Sequence, residues 1–162
     1  MVHITIEYMI LIPVLILQMF LFPLTVGWIM NAGVDSRRSL ELQEVASHLG
    51  SSIQQVYLSL NHTAIQAGTL TNNLDAPLFI EGYAYTGTAT LSTILGDEVF
   101  GSSKVLSITL KYQGLAISTT TFVTLGQNVE WKTSTFTSNS TQACITAVKF
   151  SNETIQLYFG EG

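Results

Sequence analysis

At 162 residues and a net charge of −5, the chain is long enough for one ordinary domain and one further element. Six Lys and Arg against eleven Asp and Glu, with no basic stripe, exclude nucleic acid as a partner, because cations must neutralise the phosphates. Ser and Thr total 35, mostly after position 50, which suits an exterior that packs against copies of itself, carries glycan, or both.

Glu7 is the only charged residue before Asp35. From Tyr8 to Met30 the chain is uncharged and dominated by Ile, Leu, Val, Met and Phe. As a helix this stretch is roughly 35 Å long, enough to cross a hydrocarbon core of about 30 Å. A secretory signal peptide has a shorter apolar run, a basic n-region and a small-residue cleavage site. The segment has none of these and reads as a lasting span.

Beyond Asn31 apolar residues recur at Val34, Leu40, Leu42, Val45, Ala46, Leu49, Ile53, Val56, Tyr57 and Leu60. Their steps of three and four predict an amphipathic helix, with Arg37, Arg38, Glu41, Glu44 and His48 on its other face. The expected helix therefore runs from about His3 to Leu60, apolar all round at first and one-sided after Asn31. Pro13 and Pro23 each remove a helical hydrogen bond, and Gly27 and Gly33 add weak points. Two readings stay open: a span that tolerates its prolines, or a local melt between Met19 and Gly27.

A carboxylate at the head of such a span costs about 2.5–3.5 kcal/mol if it enters the lipid centre. Glu7 therefore either rests among head groups or finds a cation, the nearest being the α-amino group of another copy.

Ile4-Thr5-Ile6-Glu7-Tyr8 followed by Met9-Ile10-Leu11-Ile12-Pro13-Val14-Leu15 resembles the N-terminus of the type IV pilin superfamily. The Glu-Tyr pair with a nearby Pro is similar to archaeal pilins and to tight-adherence minor pilins. The resemblance covers about 30 residues, and nothing after Leu60 adds to it. It departs from the family in placing Glu at residue 7 instead of mature position 5, with no basic leader or peptidase site before it. Either the leader is already removed or processing differs from the family rule.

The resemblance implies a subunit that waits in the membrane and is drawn by pilus assembly machinery into a helical homopolymer. Met1, Glu7, Tyr8, Pro13, Phe20, Phe22, Pro23 and Trp28 are the expected assembly residues, with Glu7 pairing to a neighbour's amino terminus. It also implies an extracellular cell-surface filament serving adhesion or motility. The alternative is a single-pass anchored surface protein whose outward domain binds a ligand while the helix stays in lipid.

After Leu60 the period changes to two. Leu106, Ile108, Leu110 and Tyr112 alternate with Ser107, Thr109 and Lys111, a half-buried strand. Leu115 with Ile117, Val123 with Leu125, and Ile155, Leu157 and Phe159 repeat the pattern. Further strands are expected at Ala64–Leu70, Leu78–Thr90, Val129–Thr137 and Cys144–Phe150. Turns are expected at Asn72-Asn73, Gln113-Gly114, Gly126-Gln127-Asn128 and Ser151-Asn152-Glu153. The expected class is α+β, a long N-terminal hydrophobic helix (1–30 span or filament core, 31–60 amphipathic) followed by an all-β, immunoglobulin-like sandwich over 61–162.

Asn61-His62-Thr63, Asn139-Ser140-Thr141 and Asn152-Glu153-Thr154 are N-glycosylation triplets at element boundaries, making N-linked glycans the expected modification. Arg37 and Arg38 after the span favour a cytoplasmic side. The sequons and the scarcity of Cys favour an outward domain, the reading taken here. Cys144, in an apolar stretch, reads as a buried inert thiol.

Chemistry is thinly signalled. His3, His48 and His62 are far apart, and Gly82, Gly87, Gly96 and Gly101 are spaced as turn residues. Asp97-Glu98 reads as a solvated loop pair. No enzyme, metal site or cofactor is expected.

Overall fold

The computed structural model describes residues 2–94, 103–140 and 143–161, the side chains of residues 2–8 and 161 excepted. Met1, Gly96, Asp97, Glu98, Gly101 and Thr141 lie outside the described residues. The protein is of the α+β class, with one long N-terminal helix, α1 (Val2–Leu60), followed by eight strands in two sheets. The chain divides into two compact units, Met1–Arg37 and Arg38–Gly162, and α1 contributes to both.

From Val2 onward the first unit is helix alone. Its Leu and Met content favours the helical state, and the backbone stays helical through both Pro13 and Pro23. The local melt between Met19 and Gly27 is therefore not found. Each proline costs one backbone hydrogen bond, and the bonds of the flanking turns hold the helix across the gap.

In the second unit, Leu42, Ala46, Leu49, Ile53, Val56, Tyr57 and Leu60 are all buried, the stripe expected from their spacing. Glu44, Ser47, His48, Ser51 and Gln54 between them are exposed, and Leu40 stays outside. At Gly50 the helix comes so close to the sheet that a Cβ would lie 2.9 Å from a Val123 methyl. The helix ends at Leu60, where Asn61-His62-Thr63 offers side-chain partners to the backbone: His62 Nδ1 accepts from the Ala64 N–H at 3.2 Å.

The strands are β1 (Gly68–Asn73), β2 (Tyr85–Ile94), β3 (Ser103–Tyr112), β4 (Ser118–Leu125), β5 (Val129–Trp131), β6 (Thr135–Thr137), β7 (Ala143–Lys149) and β8 (Ile155–Glu161). One sheet has the order β1-β7-β8-β5 and the other β4-β3-β2-β6, in a sandwich-like arrangement. All pairs are antiparallel except β5 with β8. Leu106, Ile108, Leu110 and Tyr112 of β3 and Ile155, Leu157 and Phe159 of β8 alternate inward. They join the helical stripe in one contiguous core.

Four expectations are corrected in detail. Asn72 and Asn73 are not a turn: they close β1 by pairing with Ile145 and Cys144, because ladder bonds outweigh the turn preference of Asn. β1 accordingly begins at Gly68, not Ala64. The strand expected over Leu78–Thr90 starts at Tyr85, since Glu81-Gly82 forms a tight turn with both φ angles positive (48° and 81°). The segment Val129–Thr137 breaks into β5 and β6, which belong to different sheets.

Candidate assembly surface and sequons

From Met9 to Met30 the large apolar side chains face outward. Met9, Met19, Phe20 and Trp28 are each more than 70% exposed, and Phe22 is 68% exposed. Leaving a side chain of this size in water costs about 1.5–3 kcal/mol. The stretch is long and apolar enough to cross a membrane by length and composition.

Polar side chains within it are few: Gln18, Thr25 and the indole of Trp28. The Thr25 hydroxyl donates to the Phe22 carbonyl at 2.9 Å, so it presents no free donor to an apolar environment. A shallow groove of about 350 Å³ on the same face is lined by Val14, Leu17, Gln18, Leu21, Phe22 and Thr25. Pro13 and Pro23 are exposed on this helix. Glu7 and Tyr8 are within α1, but their side chains lie outside the described residues.

Asn61, Asn139 and Asn152 are all exposed. Asn61 directly follows α1, its N–H donating to the Tyr57 carbonyl at 2.8 Å. Asn152 sits in the β7–β8 turn, where its side chain accepts from the Thr154 N–H at 3.2 Å and Glu153 takes a φ of 66°. Asn139 lies in the turn after β6, closed by the Ser140 N–H to the Thr137 carbonyl at 3.0 Å.

Two polar residues with structural roles escape a sequence reading. Asn128 accepts from the Tyr57 hydroxyl at 3.1 Å and donates to Asn61 Oδ1 and to the Glu153 carbonyl, both at 3.0 Å. It thereby gathers the sequons of Asn61 and Asn152 at one end of the second unit. Ser138, 5% exposed, accepts from the Tyr85 N–H at 2.9 Å and donates to the Leu78 carbonyl at 2.7 Å. A Ser and an Asn in polar loops carry no pattern that announces either role.

Arg38 is ion-paired to Glu81 at 2.8 Å and lies 5.1 Å over the Tyr83 ring, while its carbonyl accepts from the Tyr112 hydroxyl at 3.3 Å. Burial pushes Tyr112 up, as do the charges of Glu41 and Glu81, against the opposing Arg38. Tyr85 is pushed up to about 12 by burial first and by Tyr112 second. Both phenols therefore stay neutral donors well into the alkaline range. Cys144 is buried. Among the described residues no group of three or more His, Cys, Asp or Glu is placed to hold a metal ion.

Comparison with protein-family models, with characterised proteins and with solved structures gives no match.

Proposed function

We propose that the protein is a structural subunit of an extracellular, type IV pilus-like filament, held together by packing of its N-terminal helices and serving adhesion or motility. The observation that carries this reading is the outward-facing apolar run from Met9 to Met30. Such a surface needs lipid or other apolar helices around it, at about 1.5–3 kcal/mol for each large side chain kept from water. Passing from lipid into a bundle of like helices exchanges one apolar environment for another. Assembly from the membrane is then cheap and return to water is costly.

In this reading Glu7 pairs with the amino terminus of a neighbouring copy and sets register. Phe20, Phe22 and Trp28 fill the bundle, and assembly machinery draws subunits out of the membrane. The hydroxyl-rich second unit forms the exterior, with N-linked glycans at the exposed Asn61, Asn139 and Asn152.

The test is a Glu7→Gln chain expressed beside the parent, with membranes fractionated and sheared supernatants imaged. The parent is expected to give filaments, and the variant to insert in membranes without entering them. Normal filaments from the variant would remove the role of Glu7. Detergent-dependent monomers from the parent would favour an anchored surface-binding protein in place of the filament.

A further inference from the structure

The two sheets end on four strands. β5 and β6 have three residues each, whereas β1 has six and β4 has eight. An edge strand carries a row of unpaired N–H and C=O groups, which proteins usually guard with a charge, a proline or a bulge. β4 reads Ser-Thr-Thr-Thr-Phe-Val-Thr-Leu and β1 reads Gly-Thr-Leu-Thr-Asn-Asn, so neither contains a charge or a proline. Their registers with β3 and β7 run without a bulge, from Lys104↔Leu125 to Lys111↔Ser118 and from Gly68↔Lys149 to Asn73↔Cys144. Neither long edge carries any of these three guards.

β4 also has room beside it. α1 packs against β4, with Gly50 against Val123 and the Thr119 hydroxyl donating to Gln43 Oε1 at 2.8 Å, and a groove of about 270 Å³ lined by Ser47, Gly50, Ser51, Gln54 and Thr121–Thr124 runs alongside the contact. Phe122, on the outer face of the strand, is 68% exposed.

We propose that β4 of one subunit pairs with β1 of a neighbouring copy, so that a sheet continues from subunit to subunit along the filament exterior. The inference rests on the filament reading. Pairing over six residues covers far less than the roughly 1,200 Å² that a free-standing interface needs. The edge therefore cannot recruit a dilute partner. It can engage a copy already held alongside by the apolar helices, where the effective concentration is high. Two uncharged edges also meet without like-charge repulsion between acidic chains. β4 meets β1 and not another β4, because a helical polymer repeats a head-to-tail contact whose two surfaces differ.

The test uses full-length chains that combine Thr120→Cys with either Thr69→Cys or Thr71→Cys, all at exposed outer positions. The parent, whose only cysteine is buried, is the control. Mild oxidation of sheared filaments is expected to give a ladder of covalent multimers from at least one pair, and none from the parent or the single variants. Adding Ser118→Lys and Thr124→Lys to that pair is expected to abolish the ladder while filaments persist. Filaments with no ladder from any pair, covalent dimers from Thr120→Cys alone, or a ladder that survives the lysines would overturn edge pairing and leave the filament standing. No filaments from the parent would overturn both.

Discussion

The ring of Phe136 occupies the space in which any side chain at Gly87, its register partner on β2, would have to stand. The same ring packs edge-on to Tyr85 at 6.3 Å and to Phe159 at 4.8 Å, and so joins β2 of one sheet to β8 of the other. Gly87→Ala is expected to push the ring out of this cluster and to cost about 1–3 kcal/mol, the range for overpacking a filled core. Urea unfolding of the chain in detergent measures it. A change below about 0.5 kcal/mol would show that the ring moves aside freely.

Ser138→Ala leaves the buried Tyr85 N–H without its side-chain acceptor and the Leu78 carbonyl without its donor. A buried unpaired group costs about 1–3 kcal/mol. Ser138→Thr keeps the hydroxyl and is expected to recover most of that loss. Equal destabilisation by both variants would assign the effect to packing.

Alkaline pH is expected to destabilise the second unit. The folded state holds Tyr85 at about 12, above the ordinary 10.0, so its contribution is complete below pH 10 and is lost as pH rises towards 12. At about 1.4 kcal/mol per pH unit the loss is roughly 2–3 kcal/mol. Tyr112, raised in the same direction, adds to it. Tyr85→Phe gives up the hydrogen bond to the Pro77 carbonyl but should flatten this pH dependence. A Tyr85→Phe chain with the parent's full alkaline slope would place the titrating group elsewhere.

Glu81→Gly sets two small effects against each other. Glu81 has a φ of 48° in the Ile80–Tyr83 hairpin turn, a conformation costing a non-glycine residue about 1–2 kcal/mol. The same side chain pairs with Arg38, but the side chains are 19% and 30% exposed, and pairs at the surface contribute about 0–1 kcal/mol. The net change is expected to stay within about 1 kcal/mol. Gly82→Val, which places a branched residue at a φ of 81°, is expected to cost distinctly more. Thermal melts of the two variants compare them directly.

Glycan at the sequons is checked by intact mass on protein from its native source. At least one of Asn61, Asn139 and Asn152 is expected to carry added hexose mass, removed by the matching Asn→Gln change. The bare-chain mass would rule modification out.

The stripe from Leu42 to Leu60 and the alternation in β3 and β8 were legible because burial on one face imposes a period, and period is visible along the chain. The uncharged run to Met30 was legible for a similar reason, since an outward apolar helix needs apolar residues at every position. The ends of β1 and the division of Val129–Thr137 were not, because Asn72, Asn73 and Thr135 take the state that a partner strand dictates. Ser138 and Asn128 were also invisible: a hydroxyl or amide in a loop gains a role only when distant backbone arrives beside it. Local pattern by itself determined which faces are apolar and where the period changes. Only the tertiary structure decided which strands became neighbours, because pairing depends on groups far apart in sequence whose meeting leaves no periodic trace. That pairing left β1 and β4 as the long open edges.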